Sequence, residues 1–151
     1  MHDALQKSLS ILTSRPLTAL NFACELMMFS FGEYRLHSQC LTRVLLYDEI
    51  LFTTQDFQSW DGEKQSNNDL WYFAEKFRER IIGGKVHTID VSPLYDLRLT
   101  LDNGVSIELF TSNGFHHYGE EAEQWVFFHH HDHSFPFVTV YNKSVGITKG
   151  S

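Results

Sequence analysis

Apolar and polar residues alternate along most of this chain. The clearest runs are Leu17-Thr18-Ala19-Leu20-Asn21-Phe22 and Met27-Met28-Phe29-Ser30-Phe31. About 70 positions later the pattern returns as Val86-His87-Thr88-Ile89-Asp90-Val91 and Leu97-Arg98-Leu99-Thr100-Leu101. A period of two sends successive side chains to opposite faces, so each run reads as a half-buried strand. Each pair of runs is two strands separated by a short break. The echo predicts one small β-rich domain built from two similar halves.

The same pattern extends beyond the echo. Strands are predicted over 17–23, 26–31, 34–40, 43–47 and 49–54, then over 85–91, 96–101, 105–111, 124–129 and 136–142. Short, evenly spaced strands imply antiparallel meanders, and Asp102-Asn103-Gly104 is a strong hairpin turn. Two stretches change period. Leu5, Leu9 and Leu12 share a helical face, which predicts a helix over 2–13 closed by Pro16. Leu70, Phe73, Phe77 and Ile81 step by three and four, predicting a helix over 69–82 capped by Gly83-Gly84. Residues 55–69 and 112–123 read as loops and 143–151 as a tail. The third strand of the first half, Tyr34-Arg35-Leu36, matches either Val105-Ser106-Ile107 or Trp125-Val126-Phe127. The expected fold is α+β and mainly antiparallel. It is a sandwich or split barrel of two pseudo-repeated strand sets, about 17–54 and 85–142, joined through 55–84 in a single domain over 1–151.

Composition narrows the class. The chain has 151 residues, enough to bury a core without a disulfide or metal. A net charge of −7 disfavours nucleic acid or an anionic membrane as the main partner and favours a basic one. Cys24 and Cys40 fit no metal spacing, and each falls beside a strand, so both are expected as buried reduced thiols. The first helix carries Asp3 and other polar residues rather than the apolar stretch of a signal peptide, and no apolar run approaches ~18 residues. Cytoplasmic is the expected location.

The loudest chemical signal is His129-His130-His131-Asp132-His133, with His116 and His117 nearby. Imidazole is a common zinc ligand. An HxHxDH pattern would require histidine at 128, where Phe128 stands, and no HExxH is present. A polar hairpin loop is therefore the simpler expectation, with no metal or cofactor. No GxSxG, Walker loop or GxGxxG appears. A Cys–His pair using Cys40 lacks any local signature. Trp60, Trp71 and Tyr72 read as core or as anchors for a partner. The acids of predicted loops, Asp48, Glu49, Asp56, Asp61, Glu63, Glu120, Glu121 and Glu123, are the candidate partner-binding set. Such a negative patch complements a cationic surface.

Four stretches also carry a family resemblance: Ile81-Ile82-Gly83-Gly84-Lys85-Val86, Asp96 through Gly104, Ile107-Glu108-Leu109-Phe110, and Glu123-Gln124-Trp125-Val126-Phe127. Together with Phe31-Gly32-Glu33-Tyr34-Arg35-Leu36 they resemble small bacterial immunity proteins of polymorphic-toxin and contact-dependent inhibition systems. The resemblance spans roughly 17–142. It implies a non-enzymatic cytoplasmic protein, monomeric or homodimeric, that occludes the basic, nuclease-type active site of a cognate toxin. It carries no catalytic residues, and the 129–133 histidines depart from it. Two other classes stand beside it: a metal-dependent enzyme using His116, His117 and His129–His133, and an oligomerising structural module pairing through edge strands.

Overall fold

The computed structural model describes residues 1–113 and 122–148. Helix α1 covers His2–Leu9, and a 3-10 turn, Ser10–Leu12, completes its apolar face. Five strands follow: β1 (Ala19–Ala23), β2 (Leu26–Phe31), β3 (Tyr34–Ser38), β4 (Leu41–Leu46) and β5 (Glu49–Thr53). A 3-10 helix, Thr54–Ser59, and helix α2 (Asp69–Ile81) lead to the second set. That set is β6 (Val86–Val91), β7 (Leu97–Leu101), β8 (Val105–Phe110), β9 (Glu123–His129), β10 (Phe137–Tyr141) and β11 (Val145–Thr148).

The strands form two antiparallel sheets, ordered β1-β2-β3-β9-β10-β11 and β5-β4-β8-β7-β6, and they do not close into a barrel. The fold is α+β, as the patterning predicts. Each half begins with a helix and a three-strand meander, then crosses to the other half's sheet. The first half places β1–β3 in one sheet and β4–β5 in the other; the second places β6–β8 with β4 and β9–β11 with β3. The halves therefore exchange their later strands. This topology makes β3 the counterpart of β8, which matches Tyr34-Arg35-Leu36 to Val105-Ser106-Ile107.

The two sheets are stitched where their meanders begin. Ser14 N donates to Val86 O at 2.8 Å, Val86 N to Arg15 O at 3.0 Å, Leu17 N to Gly84 O at 2.9 Å and Gly83 N to Leu17 O at 2.8 Å. One continuous core fills the interior, with Leu5, Leu9, Phe29, Phe127 and Trp125 among its buried members. Trp125 keeps its indole N–H satisfied by donating to Tyr95 O at 3.0 Å, as a buried indole requires.

Three local expectations are corrected. Val145–Thr148, read as tail, is a strand paired with β10, because Val138↔Ile147 and Val140↔Val145 bring apolar partners together. The loop after β5 contains the 3-10 helix, held by a capping box between Thr53 and Asp56. Cys24 is exposed rather than buried. It occupies the tight β1–β2 turn with φ 53°, a left-handed conformation that lifts its side chain off the strand faces.

Candidate functional site

The end of β3, the start of β4, the end of β8 and the start of β9 all lie at the same end of the molecule. β3 runs into β4 there through Gln39 and Cys40, and β8 leads from there toward β9. Moving between sheets breaks the strand ladder, so backbone groups at the crossover need other partners. Gln124 O accepts from both Gln39 N at 2.8 Å and Cys40 N at 3.1 Å. The Gln124 side chain accepts from Ser112 N at 2.8 Å and donates to Ala122 O at 3.1 Å. Beneath it, Ser38 Oγ lies 2.6 Å from Thr42 Oγ1, Thr42 Oγ1 donates to Cys40 O at 3.0 Å, and Thr42 N donates to Thr54 Oγ1 at 3.2 Å. Ser38, Thr42, Thr54 and Gln124 are all buried. A satisfied polar network of this kind fixes the crossover in one geometry.

Above this network lies a groove of about 190 Å³, lined by Glu25, Gln39, Cys40, Leu41, Thr54, Gln55 and Gln58. Glu25 reaches it from the β1–β2 turn and Gln55 and Gln58 from the 3-10 helix. Glu123 stands at the start of β9 and accepts from Gln39 Nε2 at 2.8 Å. Carboxylates and carboxamides thus share one surface. Gln donates and accepts through the same side chain, so this surface suits backbone or cationic partners.

The structure separates the predicted acids into groups. Asp56 accepts from Thr53 N at 2.8 Å, which commits it to the cap. Asp61 accepts from Glu63 N at 2.9 Å and Asn67 Nδ2 at 2.7 Å. Those two bonds, with Glu63 N the larger influence, hold its carboxyl below the usual range. Glu63 is exposed on the same loop. Asp48 and Glu49 are exposed in the β4–β5 hairpin, at the far end of β5 from the groove. Glu120 and Glu121 lie outside the described residues. Sequence patterning missed Glu25, Gln39, Gln55 and Gln58; the only available signal was the position of Glu25 in a turn.

The histidine run sits at the opposite end of β9, about 20 Å along the strand. His129 Nδ1 accepts from His131 N at 3.1 Å and Asp132 N at 2.7 Å, so this side chain organises the loop. Its ring meets Tyr34 edge-on at 4.9 Å. His131 Nε2 lies 3.0 Å from Glu33 Oε2. Asp132 accepts from the hydroxyl and N–H of Ser134, and these bonds hold its carboxyl low. Among the described residues no three His, Cys, Asp or Glu side chains converge as a metal site. His116 and His117 lie outside the described residues.

Cys40 is a poor nucleophile. Burial pushes its thiol up to about 11, against the opposing hydrogen bond from Ser38, and a neutral thiol attacks weakly. Trp60 and Tyr72 are exposed, with Trp60 Nε1 donating to Lys64 O at 2.6 Å. Trp71 packs on Phe22 at 5.8 Å between ring centres. Among the described residues no helix is long and apolar enough to cross a membrane. Comparison of the chain with protein-family models, with curated proteins and with solved structures finds no match.

Proposed function

We propose that this chain is a non-enzymatic, cytoplasmic immunity-type protein that neutralises a basic toxin domain by docking its crossover end against the toxin's active site. The observation that carries this reading is the clustering of Glu25 and Glu123 around a glutamine-lined groove at the sheet crossover. The net charge of −7 supports the same sign of partner. A nuclease site holds phosphate with lysine and arginine, and carboxylates offered by a rigid surface can occupy that place. Glu25 and Glu123 are the direct contacts in this scheme, and the exposed Glu63 adds negative charge from the loop after the 3-10 helix. Asp56 and Asp61, already bonded to their own loop, add to the field that steers encounter. Asp48 and Glu49 lie outside the contact. A complex of this kind buries roughly 1,200–2,000 Å² and its association slows as salt rises.

The test is capture of the partner from lysate of the protein's own source, followed by identification by mass spectrometry and reconstitution. A basic toxin domain is expected, with growth protection on co-expression. Reversing Glu25, Glu63 and Glu123 to lysine together should weaken binding at least 100-fold and abolish protection. A triple variant that folds and still protects overturns the reading.

A further inference from the structure

The outward face of the second sheet carries a single row of charge. Register places Arg43 in β4 opposite Glu108 in β8, Glu108 opposite Arg98 in β7, and Arg98 opposite Asp90 in β6. The signs alternate over four adjacent strands, a span of ~14 Å. Glu108 is the enclosed member, its side chain 13% exposed. It accepts from Arg43 Nε at 3.1 Å and Nη2 at 2.9 Å, while Arg98 Nε lies 3.7 Å from its other oxygen. Arg43 Cζ also lies 5.2 Å from the centre of the Phe110 ring. The surrounding face is not polar throughout. Leu41 is 43% exposed and Ile50 52% exposed.

An even row of alternating charge is complementary to itself when reversed. Consider a two-fold axis parallel to the strands, between β8 and β7. It sets Arg43 of one copy over Asp90 of the other, a pair that occurs twice, as an isologous contact demands, while each Glu108 stays enclosed by Arg43 and Arg98 of its own copy. The same rotation carries the exposed Leu41 of one copy over the β6–β7 end of the other. That end holds a groove of about 270 Å³ in which Val91, Leu97 and Phe110 are bordered by the charged Asp90, Asp96, Arg98 and Glu108. Charge row and apolar knob are satisfied by one operation.

We propose that this face is a self-docking surface and that the chain forms a two-fold homodimer through it. The contact uses the second sheet, whereas Glu25 and Glu123 are carried by the first; Leu41 borders both surfaces, so Asp90→Arg is the variant that tests the self-contact by itself. A five-stranded face of short strands measures roughly 20 by 17 Å, so two such faces cover only about 700 Å², below the size of a stable interface, and a weak, transient self-association is expected.

Sedimentation of the full chain tests this. Wild type should approach twice 17.6 kDa at high concentration. Asp90→Arg, which sets Arg against Arg43 of the other copy, should weaken association at least tenfold, and Leu41→Glu should do the same. Arg43→Asp alone should also dissociate. Mixed with Asp90→Arg it should restore a dimer, because both cross-copy pairs become attractive again. If Arg43→Asp fails to fold, the other two variants decide. A wild type that stays monomeric to about 100 µM, or a dimer that Asp90→Arg and Leu41→Glu leave intact, overturns the proposal.

Discussion

Arg78 in α2 donates through Nη1 to the carbonyl oxygen of Leu20 in β1 at 2.8 Å. A helix of the second half thereby closes the edge strand of the first half's meander. The relation is reciprocal, since Gln6 in α1 donates to Ile89 O in β6 at 2.6 Å and His2 reaches Val91 O. Edge strands present unpaired carbonyls, and covering them satisfies the backbone and blocks adventitious pairing.

Arg78→Ala should therefore cost about 1–2 kcal/mol, the range for a charge-assisted hydrogen bond to a half-buried carbonyl. Arg78→Lys should recover only part of it, because the fork geometry is lost. Urea unfolding measures both; an alanine variant as stable as wild type would show that the edge is closed by packing alone.

Gly84 is close against Asn103. A Cβ there would stand 2.4 Å from the Asn103 side chain. That side chain donates to Arg80 O at 3.2 Å and Ile81 O at 3.1 Å, the last carbonyls of α2. Gly84→Ala should cost about 1–3 kcal/mol by displacing this cap. Added Asn103→Gly should cost less in the Gly84→Ala background than alone, the coupling expected of contacting residues. Strictly additive effects would contradict this.

Cys40 links stability to alkaline pH. Its unfolded thiol ionises near 9.0, whereas burial raises the folded value to about 11. A raised folded value means that the stabilising effect is present below pH 9 and is lost as pH rises toward 11. The loss should total roughly 2–3 kcal/mol. Urea midpoints at about pH 8 and about pH 10.5 should diverge in wild type and converge in Cys40→Ala. Native thiol labelling should find Cys24 alone.

His129 should hold its proton on Nε2 when neutral, since Nδ1 accepts two backbone N–H groups. Nitrogen NMR of the imidazole reads this tautomer directly. His129→Ala should raise amide exchange at His131 and Asp132, while His129→Asn, which keeps an acceptor near the same place, should protect them. An Nδ1–H tautomer would refute the assignment.

The alternation of residues 17–31 and 86–101, the leucine spacing of α1 and the turn chemistry around Asn103-Gly104 made the class and most elements legible. These are local properties: a period of two or of 3.6 determines which face of an element is apolar before any partner is chosen. β11 escaped notice because Val145-Gly146-Ile147-Thr148 is short and becomes a strand only when β10 supplies the ladder. Which sheet each strand joins was beyond local pattern. β3 could precede another strand in its own sheet or cross to the next, and the buried Ser38, Thr42, Thr54 and Gln124 network decides for crossing. The acids divided in the same way. Sequence alone marked the predicted acids as loop residues; only tertiary contacts separated Asp56 and Asp61, bonded within their own loop, from Glu123, which bonds Gln39 beside the groove that Glu25 lines. The echo of two halves was written locally, and the exchange of strands between them was decided by long-range pairing and core burial, which no local period encodes.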